Sequence, residues 1–182
     1  LAHLLAAHSY KPVYAMNYPI DFINQYCPNG WNTISPTDVF KLSECIILMD
    51  DAALFASARQ FGSSWSKAWI KFQTIISHKK ITLITVVQSL NLLDIGILRS
   101  QRMSILYKYS SLVNCLYERE EFRDTAIQSR VIIDKHRVAH SEAHPKSFVF
   151  DHHLGTCWTH PLPVHWDEAL STPYADYIVE VE

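Results

Sequence analysis

Residues 44–55 read ECIILMDDAALF. The apolar run Cys45–Met49 has no polar residue to alternate with, which marks a strand buried on both faces. It stops at two adjacent acids, Asp50 and Asp51. Like charges in contact repel, and burying either carboxylate is costly unless something compensates. In the plainer reading one aspartate caps a turn and the other is solvated. In the chemical reading a hard divalent cation such as Mg²⁺ compensates. One carboxylate then holds the metal of a nucleotide site, and its neighbour orients or deprotonates the attacking water.

Working outward, ITLITVVQ (81–88) is expected to form a second fully buried strand, rich in β-branched residues. It ends at Gln88, whose amide can both donate to a γ-phosphate and accept from a water. A polar strand terminus is the bland alternative. Two apolar strands in succession, each ending in a suitable group, favour the chemical reading. MSILYKY (103–109) predicts a third strand, and VYAMNY (13–18) another, stopped by Pro19. LAHLLAAH (1–8) reads as the last turns of a helix, and 62–80 as a helix with Trp65, Trp69, Phe72 and Ile76 on one face. Residues 19–43 predict a connection with one short helix near 36–42, and 90–101 a loop with a short helix. A long exposed helix is expected over 111–138. Strand and helix alternate, so the fold class is α/β with a parallel sheet, whose ligands gather at the carboxyl ends of its strands. SFVFD (147–151) and TCWTH (156–160) predict a C-terminal β-hairpin. The expected division is a core over 1–140 and a hairpin-and-tail extension over 141–182.

The 182 residues are 48% hydrophobic and 12% aromatic, the composition of a globular chain rather than a disordered one. Eighteen acids against sixteen bases leave a net charge of −2, so any DNA contact requires a local basic patch. Cys27, Cys45, Cys115 and Cys157 form no CxxC pair, which points to reduced thiols and a cytoplasmic setting. No apolar run reaches membrane-spanning length.

ECIILMDD (44–51) resembles a Walker B strand, and KKITLITVVQS (79–89) resembles the following strand with its sensor glutamine. Together they are similar to the HerA/FtsK-type P-loop ATPases, including viral genome-packaging ATPases and zonula-occludens-toxin-like phage assembly ATPases. The resemblance covers roughly residues 1–110. It implies ATP as cofactor, Asp50 as the Mg²⁺-associated acid, Asp51 in the place of a catalytic Glu, and Gln88 as sensor. Asp is shorter than the family's Glu. The resemblance also implies an arginine acting across a subunit boundary, for which Arg99, Arg102 and Arg59 are candidates. A ring, expected as a hexamer, acting on double-stranded DNA in the cytoplasm follows from the same likeness.

The sequence contains no GxxxxGK[ST]. The chain is therefore expected to be a fragment that starts within the helix after the phosphate loop and lacks the first strand. That strand would lie between the Gln88 strand and MSILYKY. Without it, those two either pair directly or leave backbone edges exposed. Such a fragment should bind ATP poorly, because the amides and lysine that cradle phosphates are missing. Two alternatives accompany the DNA motor: a phage assembly ATPase, and a nucleotide-independent interaction module on a decayed P-loop scaffold.

Other groups have blander roles to weigh against chemical ones. His136, His140 and His144 are spaced four apart, and His152, His153, His160 and His165 fall near Cys157. Zinc ligation is possible at such spacing, but surface histidines are the favoured reading. Trp65, Trp69 and Phe72 at helical spacing read as core before they read as a base-stacking platform.

Overall fold

The computed structural model describes residues 2–7, 9–16, 18–50, 52, 64–99, 104–139, 147–160, 163–165 and 167, and divides the chain into two compact units. The side chains of Leu4, Ile97, Arg99, Ala139, Ser147 and His160 are outside the described set.

The first unit comprises residues 2–50, 76–86 and the segment from Pro163 onward. It holds α1 (Ala2–Ala7), β1 (Val13–Met16), α2 (Ile20–Tyr26), β2 (Trp31–Thr33), β3 (Ile46–Met49) and β4 (Thr82–Thr85). The strands form one sheet in the order β2-β1-β3-β4, with every pair parallel. β3 is buried along its whole length, as its unbroken apolar run requires. Successive residues alternate between faces. Val13 and Ala15 stand level with Ile46 and Leu48, and pack with Ala6, Tyr18, Ile23 and Trp31 into a single core.

Three expectations are corrected within this unit. Residues 19–43 contain α2 and the strand β2 besides a 3-10 turn at Val39–Lys41. β2 is hidden in the sequence because only three residues pair and only Trp31 of them is buried. β4 is not buried on both faces: Thr82 and Thr85 are exposed and Leu83 and Ile84 half-buried. Among the described residues it pairs with β3 alone, and its threonines suit a strand covered on one side. β4 also ends at Thr85, three residues before Gln88.

The second unit spans 51–75 and 87–162. It holds α3 (Ser64–Ile75), α4 (Ile95–Arg99), β5 (Leu106–Lys108), α5 (Leu112–Leu116), α6 (Glu120–Ala139), β6 (Ser147–Asp151) and β7 (Thr156–His160). The third strand foreseen for the parallel sheet is instead β5, antiparallel to β6, and β6 is antiparallel to β7. Its short Leu-Tyr-Lys sequence has a charged end and is only half covered, the pattern of an antiparallel strand. β5 and β4 do not pair with each other among the described residues. The C-terminal hairpin forms as its sequence predicts. Asp151 Oδ1 accepts from the amides of His153 (2.7 Å) and Leu154 (3.0 Å), and Gly155 closes the turn at φ 64°. The helix expected over 111–138 divides into α5 and α6, with Ser111 Oγ accepting from Asn114 N at the start of α5.

On α3, Trp69 and Phe72 are buried and Trp65 stacks on Trp69 at 5.2 Å, the core role expected of them. Cys27, Cys45, Cys115 and Cys157 are free thiols. No described helix is long and apolar enough to cross a membrane.

Candidate functional site

The parallel sheet determines where its acid stands. Met16 and Met49 are in register at the carboxyl ends of β1 and β3, so the residues that follow the two strands emerge side by side. Asp50 directly follows β3, and Tyr18 lies two residues beyond β1. The Tyr18 hydroxyl donates to Asp50 Oδ2 at 2.6 Å, the short distance of a charge-assisted bond. Tyr18 is itself buried, and its carbonyl accepts from Thr33 Oγ1 at 2.9 Å, which ties the loop after β1 to the end of β2.

Behind Tyr18 stands His3 of α1, with Nε2 3.1 Å from the tyrosine oxygen. The single phenolic proton is committed to the carboxylate, so Nε2 carries the proton of this contact and donates it. The chain of donors runs from His3 Nε2–H to Tyr18 Oη–H to Asp50. Burial holds the His3 imidazole down at about 4; the nearby His165 adds to the depression and Asp50 opposes it. His3 is therefore neutral at pH 7. Its ring packs against both Trp31 (5.4 Å) and His165 (5.9 Å), and it meets Tyr18 edge-on at 5.6 Å. His165 also makes an edge contact with Trp31 at 5.6 Å, and burial lowers its basicity. It is a packed, half-buried member of this cluster rather than a surface histidine.

An oxygen donor held by a neutral hydrogen-bond chain suits a hard cation. Mg²⁺ is typically held by one or two carboxylates, with waters and substrate phosphates completing its octahedron. Asp50 fits that donor chemistry. Among the described residues no group of three or more His, Cys, Asp or Glu is placed to hold a metal ion.

Gln88 belongs to the second unit and is exposed at a bend. The turn after it is tightly built: Ser89 Oγ accepts from Asn91 N at 3.2 Å and opens a 3-10 turn at Leu90–Leu92. Arg99 is the last residue of α4. That helix starts beside the buried Asp94, which accepts from Gly96 N and from Ser66 Oγ, each at 2.7 Å. Gly96 permits this approach, since a Cβ there would sit 2.8 Å from Ile70 Cδ1. Asp51, Arg59, Arg102, His140 and His144 lie outside the described residues.

Tyr18 and His3 were missed in the sequence reading. A signal for Tyr18 was available: it ends an apolar strand, as Asp50 does, and a residue at a neighbouring carboxyl end is in reach of the acid. His3 carried no such signal, because only the packing of α1 brings it there.

No protein-family model matches the chain, and no curated protein matches it. Solved structures do. The DNA-packaging ATPase B204 of Sulfolobus turreted icosahedral virus aligns with a TM-score of 0.52 at 12% identity, covering 88% of this chain and 86% of that one. The genome packaging NTPase B204 of Sulfolobus turreted icosahedral virus 2 aligns in its AMPPCP complex at 0.48 and in its ATP-gammaS complex at 0.45. Both are 12% identical over the same shares of each chain. At this level of identity the likeness is one of fold: the chain has an α/β fold similar to that of the DNA-packaging ATPase.

Proposed function

We propose that this chain is part of an ATP-hydrolysing motor that moves or packages DNA, with Asp50 as its metal-associated acid. The observation that carries this reading is the position of Asp50. It stands at the carboxyl end of a fully buried strand in a parallel sheet, with its carboxylate held by Tyr18. Ligands of such sheets bind at this edge. The fold-level likeness to a DNA-packaging ATPase points to the same class.

In this reading Asp50 holds Mg²⁺, which when bound neutralises charge on the β- and γ-phosphates. Asp51 takes a proton from the attacking water. Its shorter side chain gives it less reach than a Glu, so water placement depends more on its neighbours. Gln88 orients that water and meets the γ-phosphate. An arginine, Arg99 or Arg102, reaches a neighbouring subunit's site and stabilises charge in the transition state, which requires a ring. This reading requires a phosphate cradle besides these groups, and the 182 residues contain no GxxxxGK[ST].

The test uses the full-length protein. Asp50→Asn should abolish Mg²⁺-dependent ATP hydrolysis, and Asp51→Asn should abolish turnover while nucleotide still binds. Unchanged turnover in both variants would sink the motor reading. The missing glycine-rich motif favours a second reading, an interaction module on a decayed scaffold. That reading gains if the full-length protein binds neither ATP nor ADP in calorimetry.

A further inference from the structure

Glu118 is an acid in an unusual place. It joins α5 to α6 and is only 7% exposed. Buried carboxylates need donors, and this one takes four. Oε1 accepts from Ser89 Oγ (3.0 Å), Asn91 N (3.1 Å) and its neighbour Arg119 N (2.8 Å), and Oε2 accepts from Leu90 N (3.1 Å). Three of the four come from the turn that directly follows Gln88.

Arg119 grips the same segment from its other polarity. Its Nη2 donates to Leu93 O at 2.6 Å and its Nε to Leu90 O at 3.4 Å. Tyr117 O accepts from the Asn91 side-chain amide. Three consecutive residues, Tyr117–Arg119, thus satisfy both N–H groups and carbonyls within residues 89–93. A surface turn is ordinarily satisfied by water. Here the bonds of Glu118 and of the Arg119 side chain are charge-assisted and buried or part-buried, which makes them stronger and directional. Tyr107 reports the same charge: burial and then the Glu118 carboxylate push its phenol up to about 12.

The clamped segment lies between two of the residues assigned to ATP hydrolysis, Gln88 and Arg99. Gln88 immediately precedes it. Leu93, held by Arg119, immediately precedes Asp94, which holds the start of α4 and so the helix that ends at Arg99. We propose that Glu118 and Arg119 are positioning residues that fix the turn after Gln88, and thereby set where the Gln88 amide stands during hydrolysis. This rests on the ATPase reading of Gln88, but the clamp can be measured independently of it.

The experiment compares Glu118→Gln, Arg119→Lys, Gln88→Ala and the Glu118→Gln/Gln88→Ala double variant of the full-length protein. Glutamine keeps the shape of Glu118 but turns an N–H₂ toward N–H donors. Amide hydrogen exchange at Leu90 and Asn91 should accelerate about tenfold or more in Glu118→Gln, the loss of a charged acceptor. In ATP hydrolysis kcat should fall about tenfold with KM unchanged, since a mispositioned water-orienting group costs only the chemical step. The double variant should be no slower than Gln88→Ala, because both substitutions act through one side chain. Arg119→Lys should show the same pattern more weakly. Unchanged exchange at Leu90 and Asn91 would overturn the clamp, and losses that multiply in the double variant would overturn its route through Gln88. If Gln88→Ala alone leaves turnover intact, the ATPase assignment of Gln88 fails instead, and the exchange rates still decide the clamp. Should Glu118→Gln not fold, Glu118→Asp keeps the charge but withdraws the carboxylate from the turn, and must accelerate the same two amides.

Discussion

The hydroxyl of Tyr18 donates to Oδ2 of Asp50 at 2.6 Å, joining the loop after β1 to the acid that ends β3. Tyr18→Phe keeps the ring and removes only the donor. Urea denaturation should show a loss of about 1.5–3 kcal/mol, the worth of a hydrogen bond to a charged group. In the full-length protein the same variant should lower kcat for ATP, because the Asp50 carboxylate loses the contact that orients it.

The neutral state of His3 makes stability depend on pH. Its imidazole is held at about 4 in the fold against an ordinary value near 6.5, so the unfolded chain takes up a proton first as pH falls. This contribution is fully present above about pH 6.5 and is lost progressively as pH drops toward 4. Across that whole span the change amounts to roughly 3 kcal/mol at most. Denaturant midpoints measured from neutral pH down toward the folded value should fall along this course. His3→Gln keeps an N–H donor for Tyr18 and should flatten it.

Asp94 is 1% exposed and joins two elements through Ser66 and Gly96. Asp94→Ala strands a buried hydroxyl and a backbone N–H. Chemical denaturation should register a loss of about 2–3 kcal/mol. Asp94→Asn retains an acceptor and a donor, and should lose less.

Gly155 holds φ 64° in the β6–β7 turn, and a Cβ there would meet nothing within 4 Å. The cost of Gly155→Ala is therefore conformational alone, about 1 kcal/mol. A thermal melt should show a small drop with the hairpin register retained, as judged by cross-strand NOEs between Val149 and Trp158.

The sequence disclosed the parts of the fold whose side chains announce their own burial. Cys45–Met49 is apolar without interruption, and its residues Ile46–Met49 form the buried strand β3. Ser147–Asp151 and Thr156–His160 flank a turn with a glycine where one is needed, and they pair as expected. Strands whose identity depends on a partner stayed hidden. β2 is three residues anchored by Trp31, and β5 takes its antiparallel partner from the distant segment Ser147–Asp151. The site divided in the same way. Asp50 was marked by the run before it, whereas His3 and Glu118 gain their roles from contacts across 15 and 28 residues that no local pattern encodes.

β3 has one further consequence. Both of its faces are apolar, so alternation gives it no reason to prefer one alignment over the next. Its ends supply what its middle lacks. Sliding one step would draw Asp50 into the place of Met49, among buried methyl groups, and forfeit its tyrosine partner. At the opposite end Glu44 N bonds to Lys79 O at 2.8 Å and its carboxylate meets Lys80, resisting a shift the other way. The acid assigned to chemistry thus doubles as the detent that indexes the strand, and exchanging it for an apolar residue would cost the sheet its alignment as well as its reactivity.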